Sequence, residues 1–258
     1  MAKEMHMEYS LIGGVLGDLA ASSWVRRGAS TSNLRLSFSA DDKPSVYAAA
    51  ALAGRMAFMP RYGGDFYAAY RAAIRRFPRM FPQSFSRWPG KEWGNIEGED
   101  EAACMMRTLC SGEKADSIDD AIAMATDAFN ITGKHSNGLY AETLAACCYM
   151  ACHEFDKREI WRYAERRIGE IPSMEDMYGR WNRTDGSRSV LKLALRCFID
   201  SLSYSECINN VLATACEVNK VACAAGALAG GFYKKLPSSG IDILPKVLPA
   251  PLYKMLEI

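Results

Sequence analysis

Apolar residues recur at three- and four-residue intervals along most of the chain, and the strict alternation of a half-buried strand is hard to find. The periodic stretches predict helices over roughly 8–24, 45–58, 64–77, 101–110, 118–130, 137–153, 157–169, 187–202, 204–214 and 217–233. Each is bounded by Gly, Pro, Ser, Asp or Asn, the residues that start and stop helices. In "ADSIDDAIAMATDAF", Ser117 followed by Asp120 resembles a capping box, and Ile118, Ala121, Ile122, Met124 and Ala125 supply an apolar face. The pattern is that of an all-α chain.

Three of these helices are crowded with small residues: "GGVLGDLAAS", "VYAAAALAG" and "VACAAGALAGG". Glycine inside a helix costs about 1 kcal/mol relative to alanine. Gly226 and Gly230 therefore imply close helix–helix approach, and the three helices are expected to meet in the centre of the molecule. No repeat or low-complexity tail interrupts the pattern. The segment 77–101, "FPRMFPQSFSRWPGKEWGNIEGEDE", is irregular and aromatic, as is "SMEDMYGRWNRTDG" at 173–186; long segments of this kind often border a binding cleft.

A chain of 258 residues can bury a sizeable core, and residues 1–258 are expected to form one domain. Lys and Arg number 31 against 30 Asp and Glu, so the net charge of +1 gives no general attraction to nucleic acid or to a lipid surface. Any charged site must be local. The nine cysteines lie mostly in apolar helical stretches without a Cys-x-x-Cys pair, which reads as reduced, buried thiols. The apolar stretch near the N-terminus is short and broken by Asp18, so a cytoplasmic protein is expected.

Candidate chemistry begins at "SADDKPS". Asp41 and Asp42, followed by Lys43 and Pro44, fit either a helix N-cap with proline in the first turn or a pair of site carboxylates. Glu97, Glu99, Asp100 and Glu101 suit the positive end of a helix dipole. Trp88, Trp93, Tyr178 and Trp181 fit either stacking on an adenine or covering the core.

Taken together, the order and spacing of these pieces resemble the ADP-ribosylglycohydrolase family over nearly the whole chain. The family, typified by dinitrogenase reductase-activating glycohydrolase, consists of all-α, magnesium-dependent enzymes. Its opening helix carries Gly-Asp-x-x-Gly-x-x-x-Glu, and "GDLAASSWV" keeps Gly17 and Asp18 while Ala21 and Val25 stand at the second glycine and the acid. Its Thr-Asp-Asp-Thr falls on Ala40, Asp41, Asp42 and Lys43. Gly-Asn-Gly-x-x-Met-Arg falls on "EAACMMR", keeping Met106 and Arg107. Thr-His-x-His-x-x-Gly falls on "TGKHSNG", keeping Thr132, His135 and Gly138. The last motif, Gly-Gly-Asp-x-Asp-Thr entering a helix, is replaced by Glu217, Asn219 and Lys220, and the Ala-Gly-Ala-Leu-Ala-Gly of residues 225–230 follows.

The resemblance implies a compact single-domain helical bundle, and it implies where a site would lie. In the family two Mg²⁺ ions sit between the two acidic motifs, orient a ribose and help activate water. Mg²⁺ requires near-octahedral hard oxygens at about 2.0–2.1 Å. This chain offers Asp41, Asp42 and Glu217, but one carboxylate is an amide and lysines stand at the two hydroxyl positions, where a protonated amine has no lone pair to give. Lys220 and Lys43 are accordingly expected to replace metal charge by pairing with Asp41, Asp42 and Glu217, with no metal favoured. The implied function is that of a pseudoenzyme kept for binding an ADP-ribose-like molecule or a protein partner, with Asp18, Arg107, His135 and Asn219 as ligand-binding residues. The alternative is an active hydrolase of an N- or O-glycosidic ADP-ribose bond, with Asp41, Asp42 and Glu217 catalytic around one Mg²⁺ or none. Neither nucleic acid nor membrane is an expected partner.

Overall fold

The computed structural model of the chain describes residues 7–31, 34–83, 85, 100–132, 138–180 and 186–256. These form α1 (Tyr9–Arg26), α2 (Val46–Met56), α3 (Phe66–Arg76), α4 (Glu101–Met106), α5 (Leu109–Lys114), α6 (Ile118–Phe129), α7 (Gly138–Cys152) and α8 (Lys157–Ile168). They continue with α9 (Met174–Arg180), α10 (Ser187–Ile199), α11 (Tyr204–Thr214), α12 (Val218–Tyr233) and the short α13 (Ser238–Ile241), α14 (Leu244–Val247) and α15 (Ala250–Met255). No strand occurs among the described residues.

The expected meeting of the small-residue helices is the centre of the fold. α1 and α12 run antiparallel at backbone contact: Cβ atoms on Gly13 and Gly226 would each collide with the other residue's carbonyl oxygen. One turn to either side, a Cβ on Gly17 would collide with the Ala222 carbonyl and one on Gly230 with that of Tyr9. Positions 9, 13 and 17 thus face 230, 226 and 222, a four-residue step on both helices in which every residue but Tyr9, which offers its backbone carbonyl, carries only a hydrogen or a methyl side chain. α12 also touches α7, α10 and α11, while α1 is flanked by α2, α5 and α11. Gly112 of α5 lies equally close to the backbone of α7 at Ala145 and Tyr149. All nine cysteines are free thiols, seven of them buried and Cys152 and Cys216 half-buried.

The start of α1 is held from a distance. Glu8, its N-cap residue, makes no side-chain cap. Instead Glu113, on α5, accepts the backbone N–H groups of Ser10 and Leu11 at 3.0 and 3.1 Å, satisfying two of the donors a helix start leaves open. Glu8 is buried and ion-paired with Arg55, whose Nε lies 2.7 Å from both carboxylate oxygens, and with Lys114.

Three expectations about elements are corrected. The helix expected over 101–110 is two, α4 and α5, broken at Arg107 and Thr108, where the Thr108 hydroxyl donates to the Met105 carbonyl at 2.8 Å. The segment 173–186 holds α9. The chain beyond α12 forms three helical turns, α13 to α15, that periodicity misses because each spans only four to six residues.

Gly17→Ala tests the central contact. The substitution gains about 1 kcal/mol of helix propensity, yet the clash with the Ala222 carbonyl is expected to outweigh it and leave a net loss of about 1–3 kcal/mol. The thermal midpoint should fall by several degrees, and a rise would mean that α1 and α12 do not touch at this level.

Candidate functional site

The C-terminal half of α1, the start of α2 and the start of α12 converge around Asp18. This carboxylate is completely buried, and its polar surroundings are supplied by the two other helices. The Ser45 backbone N–H and hydroxyl donate to its two oxygens at 2.7 and 2.5 Å, and Asn219 Nδ2 donates to Oδ1 at 3.0 Å. Ser45 is also the N-cap of α2, accepting the Tyr47 N–H at 3.1 Å, and Asn219 Nδ2 further reaches the Asp18 carbonyl and the Ser22 hydroxyl. Removal from water pushes the Asp18 pKa up to about 6, against the opposing pull of the Ser45 and Asn219 hydrogen bonds. Asp18 therefore joins three helices, and its chemistry is that of positioning.

Next to Asn219 on α12, Lys220 Nζ lies 3.0 Å from Glu217 Oε2 and 3.0 Å from Asp100 Oδ2. The Tyr47 hydroxyl donates to the same Asp100 oxygen at 3.0 Å, and the ammonium stands 5.8 Å from the Tyr47 ring centroid. Burial alone would lower the Lys220 pKa, but the hydrogen bonds from the two carboxylates prevail and raise it, so the amine is held protonated. Burial and the Asp100 charge raise Tyr47, keeping its hydroxyl a donor.

These residues border a cavity of about 450 Å³, lined by Trp24, Val25, Tyr47, Glu217, Asn219 and Lys220 together with Ala29 and Ala215. That volume lies within the range of small-molecule sites. Three of its lining residues, Ala29, Ala215 and Glu217, have positive φ values of 53°, 52° and 39°, in the left-handed region that favours glycine. Backbone strain of this kind, roughly 1–3 kcal/mol per residue, concentrates at functional sites. Val25 stands at the rim, 51% exposed, while Trp24 is buried with its indole N–H bonded to the Ser30 carbonyl at 3.1 Å.

The sequence expectations divide here. Asp18, Glu217, Asn219 and Lys220 are brought together, and Lys220 pairs with Glu217 as expected. Its second partner is Asp100 rather than Asp41 or Asp42. Asp42 is buried, takes the Ser39 N–H at 2.6 Å and pairs with Arg26 Nε at 3.1 Å, tying the 39–42 turn to the end of α1. Asp41 is exposed, its carboxylate accepting the Ser39 hydroxyl at 3.4 Å, and Lys43 is exposed. Neither aspartate caps α2, because Ser45 does.

Arg107, expected at a ligand, is fully buried. Its Nε donates to the Ala128 carbonyl at 2.7 Å and its Nη2 to that of Phe129 at 3.1 Å, closing the C-terminal end of α6, with the guanidinium 4.4 Å from the Tyr70 ring centroid. Glu101 sits in the first turn of α4 as its dipole requires and also accepts the Ser187 N–H at the start of α10. His135, Glu97, Glu99, Trp88, Trp93 and Trp181 lie outside the described residues, as does the side chain of Tyr178. Among the described residues no group of three His, Cys, Asp or Glu side chains is arranged to hold a metal ion. The sequence reading missed Trp24, Tyr47 and Asp100 as neighbours of the site. Asp100 carried a signal as the last acid before α4, whose Ala102 N–H it caps at 2.8 Å.

The described helices define an all-α protein, and comparison with solved structures gives it the ADP-ribosylglycohydrolase-like fold. Among solved structures, the chain is similar to one described as an ADP-ribosylglycohydrolase-related protein complex, with a TM-score of 0.67 and 15% sequence identity, over 97% of this chain and 96% of that one. At that identity the likeness is one of fold. No protein-family model matches the chain, and no curated protein matches it. No described helix is long and apolar enough to cross a membrane.

Asp18, pushed up to about 6 from an ordinary 3.8, and Glu113, pushed up to about 7 from 4.5 chiefly by loss of water, both hold a proton more tightly in the folded chain. Their protonation stabilises the fold fully below the unfolded values and is lost as pH rises through about 6 and 7. The urea midpoint attributable to these groups should therefore fall as pH rises between about 4 and 7. Glu113→Gln and Asp18→Asn should each flatten that slope; an unaltered slope in both variants would exclude these carboxyls as its source.

Proposed function

We propose that the chain is a non-hydrolytic protein of this fold that binds an ADP-ribose-like small molecule in the pocket between α1, α2 and α12. The observation that carries this reading is the ion pairing of Lys220 with Glu217 and Asp100, at the place where the family resemblance puts its second metal-binding motif. A protonated amine among these carboxylates supplies the positive charge that a dication would supply, and it has no lone pair to offer an ion.

The remaining positions do not fit a pair of Mg²⁺ ions either. Asn219 turns its amide N–H group toward Asp18, and Asp42 is engaged by Arg26 and by the Ser39 N–H. A divalent ion would have to displace these donors and leave Lys220 beside it, at a Coulomb cost of several kcal/mol at an effective dielectric near 20. Without metal-activated water, the groups lining the pocket hold a ligand through the Trp24 and Tyr47 rings, the Glu217 carboxylate and the Lys220 amine, and Asp18 fixes the wall from behind. A cavity of about 450 Å³ suits a compact ligand with one aromatic face.

Titration calorimetry tests both halves of the reading. ADP-ribose is expected to bind saturably in magnesium-free buffer, about tenfold more weakly to Val25→Glu, which adds negative charge at the exposed rim. Magnesium alone should give no saturable heat at micromolar concentration. Micromolar Mg²⁺ binding abolished by Asp41→Ala would sink the metal-free half, and no ADP-ribose binding at millimolar concentration would sink the ligand class.

A further inference from the structure

The turn from α7 into α8 builds a second recess, away from the pocket of α1, α2 and α12. The chain leaves α7 through Glu154, whose φ of 66° lies in the left-handed region where glycine is usual, and the Phe155 N–H returns to the Met150 carbonyl at 3.3 Å. An apolar contact between the two residues so joined commonly accompanies this closure. Phe155 and Met150, with Ile118 at the start of α6 and Tyr163 on α8, form the apolar part of a recess of about 620 Å³. Glu159, Arg162, Glu165 and Arg166 of α8 supply its charged part.

The two acids of the lining each have a structural task. Glu159 completes the capping box of α8, its carboxylate accepting the Asp156 N–H at 2.8 Å. Glu165 accepts the Ile171 N–H at 3.5 Å. Asp119, next to Ile118, falls in the first turn of α6, where the helix dipole favours an acid. The two arginines have no such task. They stand four residues apart on α8, a spacing at which like charges repel. Arg166 Nε donates to the Arg162 carbonyl at 3.2 Å, which fixes one edge of its guanidinium, while its Nη groups and the whole Arg162 guanidinium have no partner among the described residues. Arg167, by contrast, is paired with Glu142 at 2.6 Å.

We propose that this recess binds a small organic acid, with its carboxylate between Arg162 and Arg166 and its apolar or aromatic body on Met150, Phe155 and Tyr163. Planar guanidinium donors match a carboxylate in pairs, and one anion between the two arginines relieves their mutual repulsion. The apolar floor calls for a hydrocarbon body, and the volume lies within the range of small-molecule sites. A phosphate chain is the poorer match, because Glu159 and Glu165 line the same recess and repel a ligand of several negative charges. The recess shares no lining residue with the pocket of α1, α2 and α12, so the assignment stands apart from the function proposed for that pocket.

The test is calorimetry of the full chain with naphthaleneacetate, and with naphthaleneethanol as its uncharged analogue, at about 0.15 M salt, where weak surface attraction is screened. The acid is expected to bind at one site, about tenfold more tightly than the alcohol. Arg162→Gln and Arg166→Gln, each at an exposed position, should weaken it at least fivefold with unaltered circular dichroism. Arg61→Gln, an equal loss of charge at an exposed position outside the recess, should leave it unchanged. Phe155→Ala should weaken the acid and the alcohol in proportion. No saturable binding of the acid below millimolar concentration would overturn the proposal. So would equal binding of acid and alcohol, undiminished binding by both Arg162→Gln and Arg166→Gln, or displacement of the acid by an equal concentration of pyrophosphate.

Discussion

The backbone contact between α1 and α12 governs the arrangement of everything around it. Glycine or alanine at 13, 17, 222, 226 and 230 removes the side-chain layer that normally separates helices by 8–10 Å. The two axes are thereby drawn together, and Asp18, next to Gly17, and Asn219, one turn before Ala222, fall within a single hydrogen bond of one another. Ser45 then brings α2 to the same carboxylate, so the pocket inherits its geometry from a steric condition at Gly13, Gly17, Gly226 and Gly230. A bulkier seam would separate Asp18 from Asn219 and open the wall on which Glu217 and Lys220 stand.

Charge is balanced locally at both ends of α1. Around the pocket, Lys220 is matched by Glu217 and Asp100, and Arg26 by Asp42. At the opposite end of α1, Glu8 is matched by Arg55 and Lys114. Buried pairs of this kind contribute little net stability, but removing one partner strands a charge in a poorly hydrated place.

Much of the architecture was legible in the chain because it depends on local signals. Small residues at i and i+4 in "GGVLGD" and "AGALAG" pointed to close helix contact, and Ser117 and Asp120 marked the start of α6, where the Ser117 hydroxyl accepts the Asp120 N–H. The replacement of acid by amide and lysine at 219 and 220 was legible too, once the register of residues 225–230 was fixed. What escaped were partnerships between residues far apart in sequence. Nothing in "LCSGEK" shows that Glu113 caps a helix a hundred residues earlier, and nothing near Arg107 shows that it closes α6. Asp42 looked like a cap or a ligand from its neighbours alone, whereas its partner Arg26 lies sixteen residues upstream.

The pairing of residue 17 with residue 222 also sets a clock on folding. At ribosomal rates of about 5–20 residues per second, α1 waits on the order of ten to forty seconds before the helix that covers its glycine face has been made. During that interval the face offers exposed backbone and the Asp18 carboxyl has neither the closing wall nor the Asn219 amide. α1, made well before the helix that covers it, is thus among the last segments to reach its final environment, and the nascent chain must stay soluble with its future centre still open to water.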